Sequence, residues 1–277
     1  MIMRCLATIL ALLLVHPALA ADLHVPGDHD TIQDAINAAA DGDRVLVGPG
    51  TWTERLTISK KTLSLIAEAG RDDTIIDATG TGRQPGLTIK DCPSADTRVV
   101  GFTFTGGKGS NVIPRGEVQG GGILVIDSSP TIINCTFRAN HAQYGCGGGG
   151  SILGGDPTFL HCRFTDNTSD FIGGGLLVKE GTPRLIGCEF TGNTATNGAG
   201  LYLWRRTHAT LLECRFTNNT ASGHGGGLYA WNADGRMDRC DFNGNSATSG
   251  AAISTLGTSP ERAHCHFGDD QSVEDVD

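Results

Sequence analysis

The chain has 277 residues, with 30 acidic against 21 basic side chains and a formal net charge of −9. That sign argues against general binding of nucleic acid or an anionic membrane surface. With 40 Gly, 10 Pro and only 18% charged residues, the composition points to strands and turns rather than helical bundles.

Residues 1–20 read as a signal peptide. Arg4 supplies a positive start, Leu6 to Val15 is apolar apart from Thr8, and Ala18-Leu19-Ala20 places small residues at a cleavage site. The apolar run is too short for a spanning helix, and no second segment of spanning length follows. The chain from Ala21 is therefore expected to be exported, to the periplasm, the medium or the cell surface. Eight cysteines remain after Ala20. In an oxidising compartment such a count normally signals disulfides, but their spacing says otherwise.

The first element is a short helix. Thr31 to Ala40 carries apolar residues at 32, 35, 36 and 39, one helical face, with Thr31 or Asp30 as its cap. Asp41-Gly42-Asp43 stops it and Val45-Leu46-Val47 begins a strand. Such a helix would close one end of a repeat stack. Further strands are expected near Leu56–Ile58, Leu63–Ala67, Thr74–Ile76, Leu87–Ile89 and Val99–Phe104, before a long insertion from Gly106 to Gln119.

From Asn134 onward one pattern recurs six times. Cys135, Cys162, Cys188, Cys214, Cys240 and Cys265 follow one another at intervals of 27, 26, 26, 26 and 25 residues. Each has Phe two positions on and Asn, or finally Asp270, three positions after that. Between these segments lie glycine-rich blocks, from Gly120-Gly121-Gly122-Ile123 to Gly250-Ala251-Ala252-Ile253. A period of about 26 residues means stacked supersecondary units. Cys and Phe two apart share one face of a strand, whereas clustered glycines suit tight turns and would destabilise helices. Each Asn falls where a strand ends, and Asn tolerates the left-handed conformation of a sharp corner. The reading is a single-stranded right-handed parallel β-helix over residues 21–268, with Cys, Phe and Asn ladders and a frayed acidic tail over 269–277. Stacked thiols pointing the same way suit a packed column better than disulfides. Cys92 and Cys146 fall off the column. No metal is expected, since nothing resembles a C-x-x-C knuckle.

The stretch Thr31-Ile32-Gln33-Asp34-Ala35-Ile36, then Gly42-Asp43-Arg44-Val45-Leu46-Val47 and Pro49-Gly50-Thr51-Trp52-Thr53-Glu54, resembles the entry cap of the pectin-lyase-like superfamily. The later F-x-x-N and G-G-x-I/L repeats look like those of polymorphic outer-membrane proteins, although no barrel for surface display follows. The resemblance implies the fold and leaves the activity open. Pectinesterase-like enzymes carry Q-D-T-L and G-x-x-D-F-I-F-G blocks, to which only Ser169-Asp170-Phe171-Ile172-Gly173 comes near. The calcium ligands and R-x-P-x-x-R of pectate lyases do not appear. Gly223-His224-Gly225 matches three letters of polygalacturonases without the partner aspartates, and His224 is read as a turn residue.

Two outward faces remain. The residues between Cys and Phe read Thr136, Arg163, Glu189, Arg215, Asp241 and His266, alternating in sign, with Glu213 beside Arg239 in a second column. That suits an ionic ladder. The catalytic alternative makes Arg215 a lyase-type base, with Glu189 or Asp241 holding Ca2+; otherwise no cofactor is expected. On the other face, Tyr202, Trp204, Tyr229 and Trp231 are expected to stack in pairs facing outward, either as an open interaction patch or as a structural ladder under a loop such as the Gly106–Gln119 insertion, with Lys179 one coil below and Arg205 and Arg206 adjacent. Flat rings beside cations suit sugar faces and carboxylates. The sequence is thus read as a non-catalytic binder of polysaccharide or a cell-surface partner. The alternatives are a lyase or hydrolase acting on pectin-like acidic glycans, and a structural spacer.

Overall fold

The structure, a computed structural model, describes residues 20–110, 118–270 and 273–275. The expected signal peptide, Ala20 apart, and residues 111–117 of the insertion lie outside them. The chain winds into a parallel β-solenoid of about 9 turns, most of which give a strand to each of three faces. The first face runs from Leu56–Ser59 and Leu87–Lys90 through Leu176–Gly181, Leu201–Leu212 and Leu228–Trp231 to Ile253–Leu256. The second runs from Asp22–Val25 to Glu261–Ala263, and the third stacks eight strands from Gly50–Trp52 to Asp241–Asn243. The expected strand Val99–Phe104 is two strands, Arg98–Val100 and Thr103–Thr105, because Gly101 turns the chain between faces at φ +78°.

Successive coils lie in register, so Phe137 pairs with Phe164, Phe190 with Phe216, and Phe216 with Phe242. Their rings stack along the lumen at centroid distances of 5.0, 4.9, 4.8 and 4.6 Å from Phe137 to Phe242. Such pairs contribute about 0.5–1.5 kcal/mol each beyond their burial. Cys135, Cys162, Cys188, Cys214 and Cys240 form the neighbouring column, fully enclosed and unbonded to one another. Each thiol donates to the carbonyl two residues before it, as Cys162 Sγ does to Leu160 O at 3.5 Å. Burial pushes the Cys135 thiol up to about 11. Cys214 and Cys240 are raised by the thiol beside each of them and by burial, so none is a ready nucleophile. Cys92, off the column by sequence, is also buried in the lumen.

The asparagines act differently from the sequence reading. The left-handed residue at each corner is the one before, namely Ala139, Asp166, Gly192, Asn218 and Gly244, with φ between 52° and 67°. Freed from that duty, each Asn turns inward and locks adjacent coils together. Asn219 Oδ1 accepts from Asn193 N at 3.0 Å and Asn193 Nδ2 at 2.9 Å. Its own Nδ2 donates to Phe190 O at 2.9 Å and to Asn245 Oδ1 at 2.8 Å. An amide supplies both a donor and an acceptor, so the same residue repeated satisfies itself indefinitely. The ladder ends on Asp270, whose carboxylate accepts from Asn245 N and Nδ2. Asp270 is therefore a buried rung rather than part of a frayed tail, and Val273–Asp275 pairs in parallel with Ile253–Thr255.

The glycine blocks serve close approach more than turning. A Cβ at Gly175 would stand 2.4 Å from Gly200 O on the next coil. At the first coil, the helix Ile32–Ala38 closes the lumen with Ile32, Ala35 and Ile36 buried. Thr31 caps it, as expected, through its hydroxyl and Asp34 N. Its ends are also matched by charge from the next turn. Glu54 accepts from Ile32 N and Gln33 N, and Lys61 Nζ donates to the carbonyls of Ile36, Asn37 and Ala39. Opposite charges thus sit on the two poles of the helix dipole. This explains why the T-I-Q-D-A-I and P-G-T-W-T-E segments occur together.

Two outcomes follow from this interior. Asn219→Ala leaves the Asn193 backbone N–H without its acceptor and takes one of two hydrogen bonds from the Asn193 amide, one of two from the Asn245 amide oxygen and a donor from the Phe190 carbonyl. At about 1–3 kcal/mol for a buried group left unsatisfied, the loss is about 1–3 kcal/mol, read from urea unfolding. Thiol titration of the folded chain should label Cys265, half-exposed at the end of the column, and spare Cys135 to Cys240 until denaturant is added.

Candidate functional site

The first face carries two outward columns. One reads Thr88, Leu124, Ser151, Leu177, Tyr202, Tyr229 and Ser254; the other reads Lys90, Ile126, Leu153, Lys179, Trp204, Trp231 and Leu256. Leu201, Leu203, Leu228 and Ala230 point into the lumen, so the aromatic side chains point away from it. Tyr202 and Tyr229 pack at 5.0 Å between centroids, and Trp204 and Trp231 at 4.7 Å. Lys179 pairs in register with Trp204. The expected cluster is therefore assembled.

It differs in exposure. Tyr202 and Tyr229 are only 3% and 6% exposed, forming a second apolar cluster with Cys146 and Leu177 outside the main core. Burial, with Tyr229 next to it, raises the Tyr202 hydroxyl above its ordinary range. Trp204 and Trp231 are half-buried, with part of each ring open to solvent. Nor are their rings bare. Lys179 Nζ sits over Trp204 at 5.5 Å, and the Arg205 guanidinium lies over Trp231 at 4.0 Å. Arg206 occupies a left-handed corner at φ 61° and is exposed, without a ring contact.

Between Trp204 and the preceding turn runs a groove of about 400 Å3, lined by Gln119, Cys146, Phe171, Ile172, Leu177, Lys179 and Trp204. Phe171 and Tyr144 are the two large apolar side chains left exposed among the described residues, at 53% and 62%. Arg83 lies over Tyr144 at 5.3 Å. The turn carrying them is pinned by Asp170, which accepts from His141 Nε2 at 2.8 Å and Tyr144 N at 2.7 Å. Sequence reasoning noted the Asp170-Phe171-Ile172 string but missed its place in this groove. The available signal was that Phe171 has no inward slot in the Cys-x-Phe register. Neither outward column holds a carboxylate from Thr88 to Ser254. An acid, base or carboxylate nucleophile would have to come from elsewhere.

The charged residues gather on the third face. A depression of about 450 Å3 is lined by His161, Gly187, Glu189, Glu213, Arg215, Arg239 and Asp241. Glu189 pairs with Arg163 at 3.1 Å, Glu213 with Arg239 at 2.9 Å, and Asp241 with His266 at 3.1 Å. Arg215 stands in register between Glu189 and Asp241 but makes no ion pair with either among the described residues. The expected ladder is thus broken at its centre. All these pairs are exposed and contribute little to stability. Among the described residues no three His, Cys, Asp or Glu side chains converge as metal ligands. His224 lies at a turn as expected, its ring 5.9 Å from Tyr229 and its Nδ1 buried without a partner.

Asp170 gives this region a pH dependence. Its hydrogen bond from His141, then that from Tyr144 N, hold its carboxyl below the ordinary value of 3.8. A depressed folded pKa contributes stability that is present above 3.8 and lost as pH falls through the folded value. The turn bearing Tyr144 and Phe171 should accordingly loosen in that acid window, seen as faster limited proteolysis there. Asp170→Asn should abolish the pH step.

No curated protein is similar enough to count as a match. Among solved structures, pectin methylesterase from carrot superposes with a TM-score of 0.53 at 12% identity, covering 93% of this chain and 85% of that one. Pectin methylesterase PemA from Erwinia chrysanthemi gives 0.42 at 14% identity over 93% and 92% of the two chains. ORF18 of Geobacillus virus E2 gives 0.42 at 16%, over 87% and 56%. At such identities the likeness is one of fold. Among the described residues no helix is long and apolar enough to cross a membrane. Residues 93–270 match the family model described as right handed beta helix region, and the chain belongs to that family.

Proposed function

We propose that this protein is an exported β-helix that binds an acidic polysaccharide in the groove between Phe171 and Trp204. The observation that carries this reading is an apolar groove walled by two aromatic rings with the Lys179 ammonium at its side. Such a slot accepts the apolar face of a pyranose ring while a cation meets its carboxylate. The absence of carboxylates from its two outward columns between Thr88 and Ser254 favours binding without turnover.

A second reading is an enzyme acting on a pectin-like glycan. It is favoured by the fold neighbour being a pectin methylesterase, and the depression around Arg215, Glu189 and Asp241 is where its chemistry would sit. Under the lyase form of this reading, Arg215 is the base and Glu189 or Asp241 a Ca2+ ligand.

The test is one preparation assayed three ways. Calorimetry on polygalacturonate should give binding that falls at least about tenfold in Trp204→Ala with Trp231→Ala, a loss of ~1.4 kcal/mol. Methanol release from methyl-esterified pectin and absorbance of unsaturated product should both stay at background. Turnover that disappears in Arg215→Ala would establish the enzymatic reading instead. No retention on any acidic glycan and no turnover would leave a structural spacer.

A further inference from the structure

Resting on the binding reading above, the geometry points to Lys179 and Arg205 as specificity residues that restrict this groove to glycans bearing free carboxylates. Each indole at the site has one face held by a cation: Lys179 Nζ at 5.5 Å from the Trp204 centroid and the Arg205 guanidinium at 4.0 Å from that of Trp231. A sugar stacks on an aromatic ring through its C–H face, and on each indole one such face is covered by the cation. Docking there means moving the cation off the ring.

What the ligand gives back then decides the outcome. A neutral or esterified sugar offers the displaced cation no charge, so the lost ring contact counts against binding. A uronate carboxylate accepts N–H donors from the same cation, and charge-assisted bonds of this kind outweigh a cation–π contact at an exposed ring. The two cations act on neighbouring coils, Lys179 in register with Trp204 and Arg205 following Trp204 in the chain, so consecutive acidic sugars can each meet one. From Thr88 to Ser254 no carboxylate in either outward column competes for them; Glu274 follows Ser254 in register on the last strand, two coils beyond Tyr229. Nearby, Asp170 is engaged by His141 and Tyr144 N, and Glu180 sits at a left-handed corner on the exposed rim. Selection here is local. The net charge of −9 repels a polyanion at long range, so the groove cannot be choosing acidic chains by general attraction.

The test titrates tryptophan fluorescence of the full chain with oligogalacturonate, its methyl ester, and a neutral cello-oligosaccharide. The native protein should prefer the free acid by about tenfold or more. Lys179→Met with Arg205→Met should weaken the acid about tenfold and strengthen the ester and the neutral oligosaccharide about two- to five-fold, since their rings are now uncovered. Arg205→Lys beside native Lys179 should restore the preference. Equal affinity of the native protein for acid and ester overturns the inference while leaving a glycan-binding groove. A double variant that loses all three ligands in parallel also overturns it, marking the cations as general contacts. Absence of binding to any of the three removes the binding reading and this inference with it.

Discussion

The buried amide ladder is the constraint on which the rest of the molecule depends. Asn140, Asn167, Asn193, Asn219 and Asn245 each tie their own coil to the next through backbone and side chain together. A slip of one residue between coils would break every rung and turn every inward side chain outward. Phenyl stacking and the thiol column reward the same register, but neither is directional enough to impose it. Hydrogen bonds with fixed donors and acceptors are.

Because the interior carries the stability, the outside is free to vary from coil to coil. The third face uses that freedom for exposed ion pairs, each of little energetic weight. The first face uses it to collect Tyr202, Tyr229, Trp204 and Trp231 on adjacent rungs, with Lys179 and Arg205 laid over the indoles. A solenoid places successive side chains ~4.8 Å apart, so two or three coils suffice to build an elongated groove without a loop framework. Tyr202 packs against Trp204 at 5.6 Å between ring centroids, so the buried tyrosine pair holds the tryptophan edge in place.

The eight thiols of the described chain illustrate how burial overrides composition. In an exported protein their number alone suggests disulfides. In-register stacking points the side chains of the column the same way, and enclosure raises the Cys135 and Cys188 thiols above their ordinary range, so the column behaves as small hydrophobes that donate weakly to carbonyls.

Most of the fold was legible in the chain itself. The 26-residue period, the Cys-x-Phe alternation and the amphipathic segment beginning at Thr31 each follow from local periodicity, and periodicity survives without any knowledge of distant contacts. The vertical alignment of Tyr202 with Tyr229 and of Lys179 with Trp204 followed from the same arithmetic. The depth of each side chain did not. Tyr202 and Tyr229 were expected on the outward side, open or under a loop, and are buried there, because exposure depends on neighbouring turns that the period does not describe. The corner residues shifted by one, from each Asn to the residue before it, since only the closed coil reveals that the amide is needed inside. That Phe171 lines the same groove as Trp204, and that Arg215 makes no ion pair among the described residues while its neighbours do, are likewise matters of tertiary geometry. A repeat fixes which residues share a column; the packing of coil on coil decides which of them meet water.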